Sequence, residues 1–513
     1  MYLHTLTSGK MRSMNRIWPM ALACVLGAAA CRHEQVSVRG VPPSGSRAEN
    51  KAGLQRADRS GPDWFPPAAW GEPLNVDFKG VVCFRGNPQR NFYGTGPIPT
   101  GPVKVLWRAP IGSNPDGHWN GVGWTGQPLI VDWPAEVRPF MNFSKPGGPR
   151  LEVIQGALDG RVHFFDADTG LPSRRSLPMP AFNPIKGTVS VDPRGYPLLF
   201  VGTGLKKPHG GFHIYSLIDF KELFWIDSAD PSAPRDWGGW DSNSLVLKDT
   251  LFAPAENGYF CCAKLNTVWD AKFGKISIRP ELRKIRLTKE GVENSMAVWG
   301  RYGYCADNGG QLFRIDLDHP DEFKKLFDLG DDTDSTISFD KDGTFYVGIE
   351  VDKRKNGSGT VYKIDAKSAK VLWTWSFRAG SMYGGGGANP INGGILSSAA
   401  IWPEGNLVFY TTSHDPTIGM GRLVALNRQT GKPVWTKRLR SYSWSSPIVS
   451  DGVLVACDAA GSLYILDARN GSNLISGREY FSLGANVEGS PIVFEGRIYV
   501  GVRGGATVCL GIR

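Results

Sequence analysis

The sequence predicts an all-β fold, an eight-bladed β-propeller closed by an N-terminal strand. Three observations predict it. Short runs rich in Val, Ile, Leu and Tyr recur along the chain with glycine turns between them. These runs group into units of about 51 residues, the period range of four-stranded blades. The last unit is one strand short, while the early run Val103-Lys104-Val105-Leu106-Trp107-Arg108 has the form of a fourth strand and no unit of its own. Sheets repeated around an axis bury both faces against their neighbours, which suits these nearly continuous apolar runs.

Composition agrees. Of 513 residues, 41% are hydrophobic and 21% charged, enough apolar side chain for a large core. Glycine (64) and proline (36) together make about a fifth of the chain, as many short strands and turns require. The net charge of +10 is concentrated at the start: residues 1–30 carry +3 and residues 31–62 another +3, leaving +4 for the body. So weak and dispersed an excess gives no footprint for nucleic acid. No apolar run is long enough to span a bilayer as a helix.

Residues 1–30 read as a secretory signal peptide: basic residues end at Arg16, an apolar run covers Trp18–Ala30, and small residues precede Cys31. Small residues directly before a cysteine resemble a bacterial lipobox, which makes Cys31 the expected lipidation site. Arg32 after it implies sorting to the outer membrane. Residues 31–62 are polar and lack large apolar side chains, so they read as a lipid-anchored disordered tether spanning about 30 Å. Residues 63–102 are assigned as an N-terminal capping segment and 103–513 as the propeller. Its units begin at Trp124–Leu129, Thr188–Val191, Ser242–Leu247, Ser295–Trp299, Thr336–Phe339, Leu396–Ile401, Ser445–Val449 and Gly489–Val493. Two stretches exceed blade length: residues 263–290, read as a protruding contact loop, and the glycine-rich 378–394, read as either a mobile lid or a close-packed crossing.

Within the units, Phe165-Asp166-Ala167-Asp168-Thr169-Gly170 and Ala425-Leu426-Asn427-Arg428-Gln429-Thr430-Gly431-Lys432-Pro433-Val434-Trp435 resemble the pyrroloquinoline-quinone (PQQ) repeat, A-x-D-x-x-T-G-x-x-x-W. Ala366–Trp373 is a degenerate copy. Phe84-Arg85-Gly86-Asn87-Pro88-Gln89-Arg90 with Tyr93-Gly94-Thr95-Gly96 is similar to the opening of secreted PQQ-like propellers. The likeness covers residues 80–513 and speaks to packing: the Trp fills space between sheets and the Gly permits a turn with positive φ. That superfamily holds quinoprotein dehydrogenases and also non-catalytic propellers, among them the propeller lipoprotein of the outer-membrane barrel-assembly machine.

In the enzymes of that family PQQ lies on the axis against a Trp, with Ca²⁺ held by oxygen donors and an Asp as base. The resemblance therefore points to residues at the starts of first strands: Asp241, Glu293 and Asn294 as Ca²⁺ ligands, Asp334 as base, and Trp240 and Trp444 as ring faces for the quinone. Cys261-Cys262 matches the family's vicinal disulfide only in composition. Aligning Gly258 with Gly461 puts both in a third strand, where neighbouring side chains face opposite ways, so free thiols are expected. His209 and His213 are four apart, but Gly210-Gly211 between them argues for a loop and against a helical zinc site. No C-x-x-C-H haem motif, phosphate loop, nucleophile elbow or HExxH is present.

These features give a leading expectation of an envelope-anchored, monomeric, non-catalytic propeller lipoprotein that binds or scaffolds envelope proteins or peptides, with no firmly assigned cofactor. The alternative is a periplasmic PQQ- and Ca²⁺-dependent dehydrogenase acting on an alcohol or sugar.

Overall fold

The computed structural model describes residues 63–124, 126–353, 356–382 and 392–512. The signal peptide, the tether, Cys31 and residues 383–391 of the glycine-rich stretch lie outside the described residues.

Eight sheets of four or five strands follow one another in chain order, antiparallel but for one short edge pair. Their first strands are Leu129–Val131, Ser190–Val191, Leu245–Leu247, Ala297–Trp299, Ser338–Phe339, Ala400–Trp402, Ile448–Ser450 and Ile492–Phe494, which open blades 1 to 8. Second strands such as Thr250–Pro254 and Leu407–Thr411 are buried along almost their whole length. Outermost strands such as Pro433–Arg438 alternate between exposed and half-buried residues. The sequence follows this gradient, from runs like Leu407-Val408-Phe409-Tyr410 to mixed ones like Val434-Trp435-Thr436-Lys437. Blade 1 has a second strand, Glu152–Gly156, that the sequence reading passed over, because a long connection with a 3₁₀ turn at Arg138–Phe140 separates it from the first.

The ring closes as expected. Lys104–Pro110 pairs antiparallel with Ala506–Gly511, placing Val105 opposite Leu510 and Trp107 opposite Cys509. The repeat motif locks adjacent blades. Trp107, Trp373 and Trp435 each donate their indole N–H to a backbone carbonyl of the next blade: Ala167 (2.9 Å), Arg428 (3.0 Å) and Ala468 (3.0 Å). Each ring also lies where a side chain on Gly170, Gly431 or Gly471 would stand; a Cβ there would come within 2.6–2.9 Å of it. These glycines, at φ between +70° and +72°, thus serve both the turn and the neighbouring indole.

A second lock surrounds the channel. Just ahead of the first strands, backbone N–H groups donate to the hydroxyl of the next blade: Gln127 to Thr188, Asn243 to Ser295, Ser295 to Thr336, Thr336 to Ser398, Ser398 to Ser446 and Ser446 to Ser490, over 2.9–3.2 Å.

Residues 80–96 run through the centre of this ring. Gly80–Val81 joins blade 1, and Gly94–Thr95 lies parallel to the first strand of blade 8. Between them, Val82, Pro88 and Gln89 accept backbone N–H bonds from Val191, Val298 and Phe339 of blades 2, 4 and 5. The Tyr93 hydroxyl accepts from Ile401 of blade 6 at 2.9 Å. Arg85 donates to Pro447 O of blade 7 (3.3 Å), Ala399 O of blade 6 and Arg90 O (3.0 Å). Arg90 donates to Met296 O of blade 4 (2.9 Å) and Asn243 Oδ1 of blade 3 (2.9 Å). One segment therefore touches all eight first strands or their approaches, which is possible only on the axis. Gly94 permits it, since a Cβ there would meet Val493 O at 1.6 Å.

Only part of 263–290 protrudes: Val268–Asp270 and Lys275–Ser277 form a two-stranded ribbon with exposed Val268 and Phe273, whereas Glu281–Arg286 is the outer strand of blade 3, paired with Tyr259–Lys264.

Candidate axial cation site

The approaches to the first strands converge at one mouth of the channel. There the structure brings Asp241, Glu256 and Glu293 together, with one carboxylate oxygen of each inside a 4.8 Å cluster, and Asp332, Asp334 and Glu350 in a second such cluster. Asp241, Glu293 and Asp334 precede first strands, as the sequence reading placed them. Glu256 follows the second strand of blade 3, and Glu350 lies within the second strand of blade 5. Second strands run antiparallel to first strands, so their far ends return to the same mouth.

Five of the six acids are buried, Glu293 being half-buried. Glu256 is the best satisfied, accepting from Asp241 N (3.0 Å) and from the Trp237 indole. Asp332 Oδ1 accepts from Thr333 N at 2.6 Å, and Glu293 Oε1 from Asn308 Nδ2 at 2.6 Å. The rest are short of partners. Asp241 Oδ1, Asp334 Oδ1 and Glu350 Oε2 are buried with no hydrogen-bond donor. One cation is built in: Lys186 Nζ lies 3.1 Å from Asp241 Oδ2.

Burial and mutual repulsion hold these acids toward their neutral forms. Burial lifts the Asp241 carboxyl to about 6, against the pull of Lys186. Burial, then neighbouring carboxylates, push Glu256, Asp332, Asp334 and Glu350 well above the usual carboxylate range. The two clusters form one field, since the charges of Glu293 and Asp241 reach Asp334. Burial disfavours the Lys186 ammonium, but Asp241, Glu256 and Glu293 more than offset it and raise its pKa. Unpaired buried carboxylates facing one another are costly, and a divalent cation removes that cost. An all-oxygen donor set of irregular geometry suits Ca²⁺.

The other residues expected at the site lie elsewhere. Asn294 donates to Ala306 O and Thr333 O, both at 2.6 Å, and its Oδ1 accepts from Ala306 N, so its amide ties two blades together. Trp240 is buried in a blade core with its ring 5.2 Å from Phe212, and offers no open face for a planar quinone. Trp444 is half-buried, its N–H within 3.2 Å of Asn392 O and Ser413 Oγ. The donor set thus fits Ca²⁺, whereas only one of the two rings expected for PQQ stands at the mouth. Cys261 and Cys262 are free thiols in the third strand Tyr259–Lys264 and enter different apolar clusters; burial pushes them up to about 12 and about 11.

Residues 357–513 match the family model described as outer membrane protein assembly factor BamB. A segment of 132 residues is 31% identical to quinoprotein alcohol dehydrogenase PedH of Pseudomonas putida, covering 25% of this chain and 19% of that protein. Among solved structures, the computationally designed Ika8 protein is similar with a TM-score of 0.48 and 14% identity, over 79% of this chain and 100% of that one. BamB from Moraxella catarrhalis is similar with a TM-score of 0.47 and 14% identity, over 70% and 94%.

Proposed function

We propose that this chain, a PQQ-like β-propeller, is an envelope-anchored binding module whose axial mouth is completed by Ca²⁺. The supporting observation is the set of buried carboxylate oxygens without donors on Asp241, Asp334 and Glu350, which belong to two neighbouring acidic clusters whose charges reach one another. The central segment supports a binding role over turnover. Residues 80–96 fill the axis beneath the mouth, so a ligand meets a rigid, closed floor and the surrounding loops. Propeller loops on such a frame suit recognition of an envelope protein or peptide. The N-terminal pattern ending at Cys31, together with the match of residues 357–513 to an outer-membrane assembly family, supports the anchor.

A second reading, a PQQ- and Ca²⁺-dependent dehydrogenase, draws on the PedH-like segment and on Asp334 lying in the same field as Asp241 and Glu293. In it, Asp241, Glu293 and their cluster partners would hold the metal. Bound quinone would supply the two-electron acceptor, and Asp334 would hold the substrate proton. One titration separates the two. The purified chain is given Ca²⁺, then PQQ, with dye reduction followed on alcohols and sugars. We expect saturable Ca²⁺ binding without quinone uptake or dye reduction; tight PQQ binding with turnover overturns the binding-module reading in favour of the enzyme. Separately, Cys31→Ala should move the protein from the membrane to the soluble envelope fraction, and retention in membranes would refute the anchor.

A further inference from the structure

We propose that His209, His213 and Glu222 form a transition-metal site of the zinc type on the outer hairpin of blade 2. The two histidines are four apart across two glycines, so no helix presents them; strand geometry does. His213 lies in the strand Gly211–Ser216, which pairs with Glu222–Asp227 so that His213 faces Trp225. A bulge after Ile214 skips Leu223 and sets Glu222 opposite Tyr215. Residues opposite or two apart in a sheet share a face, so the bulge turns the Glu222 carboxylate onto the face of His213.

His209 comes from the loop before the strand. Its backbone, at φ +56°, folds the ring back over Trp225 at 4.0 Å between centroids. Gly210 and Gly211 make the fold-back possible: a Cβ on Gly211 would meet Ile226 O at 2.1 Å, and one on Gly210 would meet Lys207 O at 2.9 Å.

The three side chains converge on one point. His209 Nε2 is 2.8 Å from Glu222 Oε2, and His213 Nδ1 is 2.6 Å from Glu222 Oε1. A tetrahedral ion with bonds near 2.1 Å holds its ligand atoms about 3.4 Å apart, and one ligand atom from each of the three side chains lies within 4.8 Å of the others. His213 is fully buried, while His209 is 41% exposed, which leaves the fourth position to solvent, as zinc sites with three protein ligands require.

Propeller packing does not call for this triad. The same bulge occurs in blades 5, 6 and 8, and by register the position of Glu222 is held there by Val371, Pro433 and Val105. The position of His213 is held by Tyr362, Val424 and Val508. Two of the three metal-binding side chains thus stand where those blades carry largely apolar ones.

The test uses the full chain stripped with EDTA and titrated with Zn²⁺, then with Co²⁺ as an optical probe of nitrogen ligation. The expected result is one Zn²⁺ bound per chain with Kd below about 1 µM, a Co²⁺ visible spectrum that excess Ca²⁺ does not remove, and at least a ~10-fold loss of affinity in His209→Ala and in Glu222→Gln. Because His209 is surface-exposed, its variant should keep the wild-type melting curve without metal. Failure to bind Zn²⁺ at that level, or unchanged binding in both variants, overturns the site and leaves a carboxylate hydrogen-bonded between two imidazoles.

Discussion

Arg85→Met should lower the stability of the propeller by roughly 3–5 kcal/mol, far more than removal of a rim arginine such as Arg469. Arg85 is 1% exposed, and its guanidinium is spent on three backbone carbonyls, those of Arg90, Ala399 and Pro447. It also lies 4.5 Å from the centre of the Tyr93 ring. Two effects compete. A buried charge is costly, and burial does depress the Arg85 pKa, so an apolar replacement recovers desolvation energy. Against this, methionine cannot donate: the buried carbonyls of Arg90 and Pro447 would lose the Arg85 bond, at about 1–3 kcal/mol each, and that of Ala399 would be left with the 3.4 Å bond from the Tyr93 hydroxyl. The second effect is larger because those carbonyls belong to strand approaches fixed by the ring and cannot turn to water. Urea melts followed by tryptophan fluorescence should show the midpoint fall sharply in Arg85→Met and stay within error in Arg469→Ala, which changes a 67% exposed side chain. A small shift in both would mean that the axial segment is a passenger and the blades close the ring unaided.

The contrast between blades and axis explains what sequence could reveal. Blade strands are periodic: Leu407-Val408-Phe409-Tyr410 repeats the role of Val453-Leu454-Val455, and a turn glycine marks each hairpin. Ring closure was legible because Lys104–Pro110 carries the outer-strand pattern of Val371-Leu372-Trp373 without an upstream partner. Residues 84–91 have no such period. Their polar side chains are satisfied by backbone carbonyls and side chains from several blades, and nothing in the local sequence marks those partners. The acids divide the same way. Asp241, Glu293 and Asp334 stand just ahead of apolar runs and were legible as mouth residues. Glu256 and Glu350 sit at the far ends of second strands, joined to the mouth only by antiparallel return. At His209 and His213 the sequence rightly argued against a helix, but only His209 and Gly210 lie in a loop; Gly211 and His213 belong to the strand Gly211–Ser216, and the bulge that swings Glu222 beside them has no signature in the spacing.

The other large effect is electrostatic and concerns the acids at the mouth. Asp241 is lifted to about 6, and Glu256, Asp332, Asp334 and Glu350 stand well above ordinary carboxylates. The folded chain therefore binds protons that the unfolded chain releases near pH 4. Stability from these groups is fully present below the unfolded values and is lost as pH rises through the folded ones, so the cation-free protein should melt progressively lower from about pH 4 through 6 and beyond. Asp230 acts in the opposite sense, held down to about 2 by hydrogen bonds from Lys284 and Ser232, but its window lies below pH 4 and does not overlap. Calcium should reverse the trend. Binding displaces the protons these carboxyls still hold and adds about 2.7 kcal/mol at a hundredfold excess over Kd, a rise of a few degrees for a domain of this size. That gain should grow as pH rises through the Asp241 value of about 6 and continue to grow above it, because at low pH calcium competes with bound protons. Melting curves in EDTA and in Ca²⁺ should thus diverge with pH, and Glu350→Gln should shrink both the EDTA slope and the calcium gain. Parallel curves would mean that the acids are neutralised by contacts within the chain, and the case for a cation at the mouth would fall with them.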